Sequence, residues 1–156
     1  MIQRKQTLFL IVAFICYALC LFFPIATIAS KTMGGDSLLY NLGFVSGDQG
    51  IVFAATCLPL FILLAVSAVL TLVTIFLFKN RKQQLNLCSI ITLFNVLWYV
   101  DYALMLFGIV GLPEVNGDMS IRFSACLPLI SLILVLMARK GVDDDEKLVR
   151  AADRIR

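Results

Sequence analysis

Asp101 is the one acidic residue inside an apolar run, with Trp98, Tyr99 and Tyr102 around it. A charge at the centre of a bilayer costs on the order of 3 kcal/mol or more, so such a residue marks a structural polar clamp or a ligand or proton site. Asn95, Trp98 and Asp101 recur at every third position, which on a helix gives one polar and aromatic stripe. Arg122 is the natural counter-charge. Sixteen uncharged residues separate it from Arg139, about 24 Å of helix, so at least one of these arginines sits at or inside the hydrocarbon edge. Pairing Asp101 with Arg122 would reduce both desolvation costs, and Asp101, Arg122 and Asn95 form the expected intramembrane polar set. The depth of Asp101 stays open. A helix reaching Leu112 puts it about 16 Å down, whereas its aromatic neighbours favour the interface.

Other chemistry has little to work with. No histidine is present, which removes the commonest metal ligand and the commonest general base near neutral pH. The five cysteines, Cys16, Cys20, Cys57, Cys88 and Cys126, all lie in apolar runs, with no C-x-x-C pair and no zinc-like spacing. They read as small packing residues, and a thiol oxidoreductase is disfavoured. No cofactor, metal or catalytic residue is expected. A net charge of +3, not gathered on one soluble face, argues against nucleic acid as a partner.

With 61% hydrophobic and 15% charged residues and a mean hydropathy of +0.97, the chain belongs in a membrane. Crossing the hydrocarbon takes about 20 apolar residues per helix. Four segments qualify, at 7–29, 51–78, 85–112 and 119–138, giving a transmembrane domain over 1–140 and an all-α fold, a four-transmembrane-helix bundle. Arg4, Lys5, Lys79, Arg81, Lys82, Arg139, Lys140, Lys147, Arg150, Arg154 and Arg156 fall on one side of it, and only Lys31 and Arg122 on the other. Short loops rich in Lys and Arg stay in the cytoplasm, so both termini are expected there. The outer side then carries a long loop at 30–50, with turn residues around an apolar middle, "LLYNLGF", that suits a hairpin or a short interfacial helix. "CLPL" occurs twice, at 57–60 and 126–129, and within a span each proline would kink the helix.

The charged tail, "DDDEKLVRAADRIR", predicts a short cytoplasmic C-terminal helix over 141–156. Asp143 and Glu146 suit its N-terminus, and Asp143 can pair with Lys147 and Glu146 with Arg150. Leu148, Val149 and Ile155, with Arg150 and Arg154, then form an expected docking surface for a cytoplasmic protein.

The opening "MIQRKQTLFL", the segment "TIFLFKNRK" and above all the close "DEKLVRAADRIR" resemble an uncharacterised bacterial family, domain of unknown function 4293, associated with the Bacteroidetes. The resemblance implies four transmembrane helices in a bacterial inner membrane and carries no activity or site residues. The expected function is that of a non-enzymatic integral membrane accessory or scaffold protein. Its partners would be the lipid bilayer and a protein or second copy of the chain. The alternative is a small transporter or ligand-binding bundle using Asp101 and Arg122.

Overall fold

A computed structural model describes residues 5–30, 36–46, 52–77, 80–108 and 117–153. Four helices, α1 (Lys5–Phe22), α2 (Leu58–Phe76), α3 (Arg81–Leu106) and α4 (Leu127–Asp153), pack in cyclic order, each against the next and α4 back against α1. Their buried positions explain why. Leu10, Ala13, Tyr17 and Cys20 on α1 and Leu60, Leu64, Ser67, Thr71 and Thr74 on α2 alternate steps of three and four residues. So do Gln84, Cys88, Ile91, Asn95, Trp98, Tyr102 and Met105 on α3, and Ser131, Val135, Ala138 and Val142 on α4. A mean step of 3.5 keeps one stripe turned toward the bundle axis, as in left-handed helix packing. Outside that stripe the middle turns of the helices remain apolar, with Leu8, Ile62, Val69, Leu93, Val100 and Ile133 exposed. A surface of this kind is suited to lipid. Ser67, Thr71 and Thr74 enter the core of α2 by returning their hydroxyls to the carbonyls of Leu63, Ser67 and Leu70 at 2.8, 2.7 and 2.7 Å.

The fold is not all-α. Five antiparallel strands, β1 (Ala26–Ser30), β2 (Ser37–Leu39), β3 (Gly43–Ser46), β4 (Val52–Phe53) and β5 (Gly117–Ile121), form one sheet in the order β4-β3-β2-β1-β5. The first four strands lie between α1 and α2 and the fifth between α3 and α4, so the sheet caps the end of the bundle opposite the α2–α3 turn. Pairing of β1 with β5, from Ala26 opposite Ile121 to Ser30 opposite Gly117, joins the two connections into one cap. The described part of the loop at 30–50 is therefore a hairpin, β2 with β3, rather than an interfacial helix. Gly43 is required within it: a Cβ there would stand 2.1 Å from the carbonyl oxygen of Val52 on the neighbouring strand.

The sheet takes residues from three of the four expected spans, 7–29, 51–78 and 119–138. Residues 26–29 and 52–53 belong to strands, and α1 ends at Phe22, just before Pro24. Among the described residues three helices are long and apolar enough to cross a membrane, within 55–76, 82–106 and 123–148, while the apolar part of α1, Gln6–Phe22, is shorter. α3 stops at Leu106 instead of continuing to Leu112 because Gly108, at φ +69°, takes the left-handed conformation that closes a helix, its N–H bonding Met105 O at 3.0 Å. The two "CLPL" prolines do not kink anything. Pro59 and Pro128 stand in the first turns of α2 and α4, where no backbone N–H is needed, and each follows a 3-10 turn, at 55–57 and 123–126.

At the far end of α4 there is no boundary at residue 141. The helix runs unbroken from Leu127 to Asp153, about 40 Å, so Asp143 lies inside it rather than at the start of a separate helix. Its pairing with Lys147 is present at 2.6 Å. Val142 is buried, and Gln6 at the start of α1 donates to Asp145 Oδ2 at 2.8 Å, so α1 braces α4 past the last apolar turn.

Candidate functional site

The buried stripe of α3 is where polar side chains converge. Asn95, 1% exposed, donates its amide to Tyr17 on α1 at 2.6 Å and to the Ile91 carbonyl at 2.9 Å. One turn on, Trp98, also 1% exposed, donates its indole N–H to Asn41 Oδ1 at 3.3 Å and stacks on Tyr102, with ring centroids 5.2 Å apart and planes 14° from parallel. Tyr102 donates to Ile25 O at 3.0 Å, and Tyr99 to Ala125 O at 2.8 Å. The Ile25 carbonyl also accepts the backbone N–H of Arg122 at 3.1 Å. One helix face thus fastens α1, the sheet and the entry to α4. Ser124, which bonds Pro24 O, closes the same corner.

Asn41 is the sheet's contribution to this core. Its position is set by the tight turn between β2 and β3, closed by the Tyr40 N–H on Gly43 O at 2.7 Å. The turn aims its side chain into the bundle, where it is fully buried and donates to the Cys20 carbonyl at 2.6 Å. That carbonyl is one of the last four of α1, and its regular donor would be the backbone N–H of residue 24, which as proline has none. Sequence reasoning missed Asn41 and Tyr17. The available signals were a proline four residues after Cys20 and a single amide inside the otherwise apolar "LLYNLGF".

The three residues expected to form the intramembrane polar set are separated. Asn95 belongs to the Tyr17 contact. Arg122 is exposed in the extended segment between β5 and the 3-10 turn before α4, and its Nε donates to Thr27 Oγ1 on β1 at 2.7 Å. Asp101 lies one position off the buried stripe, within the last two turns of α3. Its Oδ2 is buried without a hydrogen-bond partner. No ion pair joins Asp101 to Arg122 among the described residues. Asp101 is level with the start of α2 and near the sheet, at the capped end of the bundle. Asn95 Oδ1 is the other buried oxygen on α3 without a partner.

The cysteines are free; Cys16, Cys20, Cys57 and Cys88 are buried and Cys126 is exposed. Among the described residues no three His, Cys, Asp or Glu side chains converge as metal ligands would. Of the expected docking surface, Leu148 is on α4 and 70% exposed, Val149 and Arg150 follow on the same helix, and Arg154 and Ile155 lie outside the described residues.

Three helices long and apolar enough to span a bilayer, together with the shorter α1 and the β-cap, define a membrane protein of mixed architecture, helical in its body and antiparallel β at one end. The family described as Domain of unknown function (DUF4293) matches residues 2–155, and the chain belongs to that family. No curated protein matches it.

Proposed function

We infer that this chain is a non-enzymatic integral membrane scaffold or accessory protein that presents its charged end to a protein partner. One observation carries the reading: α4 continues unbroken past the apolar span to Asp153, held against α1 through Val142 and the Gln6–Asp145 bond. A segment meant only to mark topology needs no such bracing. A rod fixed to the bundle can hold a partner in a defined orientation. The interior points the same way, since Tyr17, Asn41, Asn95, Trp98 and Tyr102 are engaged in holding elements together.

In this reading all four helices cross the bacterial inner membrane, α1 being completed by its junction with the cap. Both termini are cytoplasmic because the basic residues cluster at their end. The docking surface consists of Leu148, Val149 and Ile155 with Arg150 and Arg154. Leu148→Asp combined with Ile155→Asp should leave membrane insertion intact and remove a partner that crosslinks and copurifies with the wild-type chain from native membranes. A double variant that keeps the partner would refute the docking role. The second reading, a small transporter or ligand-binding bundle, is favoured by one observation, the unpartnered buried oxygen of Asp101.

A further inference from the structure

A second polar feature lies at the opposite end of the bundle from the sheet. Between the first turns of α3 and the middle of α4 there is a cleft of ≈ 540 Å³, lined by Leu85, Asn86 and Ser89 on one side and Leu136, Arg139 and Lys140 on the other, with Asp143 at its end. Arg139 and Lys140 are exposed, and both line the cleft opposite α3. Lys82, also exposed, is one turn before Asn86 on the same face of α3. Asp143 is the single carboxylate in the lining, and Lys147 holds it at 2.6 Å, which offsets its charge locally. The cleft therefore offers cations and a side-chain amide to an anion.

The apolar half of the cleft identifies the anion's class. Leu85 and Leu136 line it at the level where the uncharged stretch of α4 gives way to Arg139. From there an outward apolar seam continues along both helices, through Leu93 on α3 and Ile133 and Leu129 on α4, which are 58%, 52% and 48% exposed. A soluble phosphate would use the cations and leave this seam unfilled. A phospholipid uses both, and basic recesses between helices at the membrane boundary suit anionic headgroups.

We propose that the α3–α4 cleft is a binding site for an anionic phospholipid, with Arg139, Lys140 and Asn86 on the headgroup phosphate and an acyl chain along the seam from Leu136 to Leu129. This site is separate from the docking end of α4 and does not depend on a protein partner.

The test uses the full-length protein purified in detergent, with lipid retention read by native mass spectrometry and stability by thermal melting. Phosphatidylglycerol should be retained and should raise the melting temperature more than phosphatidylcholine does. Each basic residue near an anionic headgroup is worth about fivefold in affinity, so Arg139→Gln with Lys140→Gln should weaken phosphatidylglycerol binding roughly 30-fold. Asn86→Trp, which fills the cleft and keeps its charge, should also lose the lipid, and it carries the test if the double variant fails to fold. Arg122→Gln, at the other end, should bind as wild type does. Equal retention of phosphatidylcholine, or unchanged phosphatidylglycerol binding in both cleft variants, would overturn the proposal. Displacement of the lipid by inorganic phosphate, with equal protection against melting, would identify a soluble phosphate as the ligand and overturn the lipid assignment.

Discussion

The side-chain amide of Asn41 bonds the Cys20 carbonyl at 2.6 Å, supplying the hydrogen-bond donor that Pro24 cannot. A residue at the tip of a β-hairpin thus completes the end of a helix twenty-one positions earlier in the chain. Its other amide atom accepts from Trp98, so the sheet, α1 and α3 meet at one side chain. Removing it leaves a carbonyl and an indole N–H buried without partners, each worth about 1–3 kcal/mol. Asn41→Ala should therefore lower stability by roughly 2–6 kcal/mol, measured by thermal or denaturant unfolding in detergent. Trp98→Phe should cost less in the Asn41→Ala background than in wild type, because the shared bond is already gone. Additive losses would mean that the contact carries no weight.

Two glycines with close neighbours among the described residues, Gly43 and Gly141, should respond differently to alanine. At Gly43 the new Cβ meets the Val52 carbonyl at 2.1 Å, a backbone atom that cannot move without breaking the β3–β4 pairing. At Gly141 it meets the flexible Gln6 side chain at 2.9 Å, and alanine also gains up to about 1 kcal/mol of helix propensity within α4. Gly43→Ala should destabilise clearly, whereas Gly141→Ala should be close to neutral. Melting temperatures of the two variants, measured side by side, decide the point.

The helical body and the option of a hairpin within 30–50 were legible in the sequence, whereas the strands at 26–30, 52–53 and 117–121 were not, for a physical reason. Residues 23–29 and 51–57 are as apolar as the helices beside them, and a short apolar run carries no period that separates strand from helix. The punctuation was present but carried a different meaning. Pro24 follows the end of α1, Gly108 ends α3, and the repeated "CLPL" marks two helix starts rather than two kinks. For the candidate site, the turn spacing of Asn95 and Trp98 placed both on the buried stripe. The next residue on that stripe is Tyr102, not Asp101, because the stripe advances by alternating three and four positions. The contacts of Asn41 and Tyr17 join residues 57 and 78 positions apart, and no local pattern reports them.

Sidedness follows from where the strands are inserted. If the helices cross as proposed, the sheet and the α2–α3 turn face opposite compartments, and the termini share the compartment of the turn. A reporter fused after Arg156 and another inserted between residues 47 and 50 should read opposite sides, the first cytoplasmic. Reporters reading the same side would refute the four-crossing arrangement, and both sides exchanged would refute only the orientation.

Asp101 and Arg122 provide the last prediction, because their separation has an energetic signature. Arg122 is fastened to Thr27, and Asp101 makes no ion pair with it among the described residues, so neither compensates the charge of the other. Asp101→Asn replaces one carboxylate oxygen by an N–H₂ donor and removes the cost of holding a charge beside the buried, unpartnered Oδ2. It should be neutral or stabilising, by up to about 1–3 kcal/mol if the new amide finds an acceptor. Arg122→Gln loses the bond to Thr27 and should cost at most about 1–2 kcal/mol at its exposed position. Residues without a shared partner add within about 0.5 kcal/mol, so the double variant should equal the sum of the two single effects. A coupling energy well above that limit, measured by unfolding in detergent, would restore the direct clamp between α3 and the entry to α4. Additivity, with the proposed partner still copurifying in the Asp101→Asn variant, would leave the charged end of α4 as the part of the molecule to which the proposed scaffold role falls.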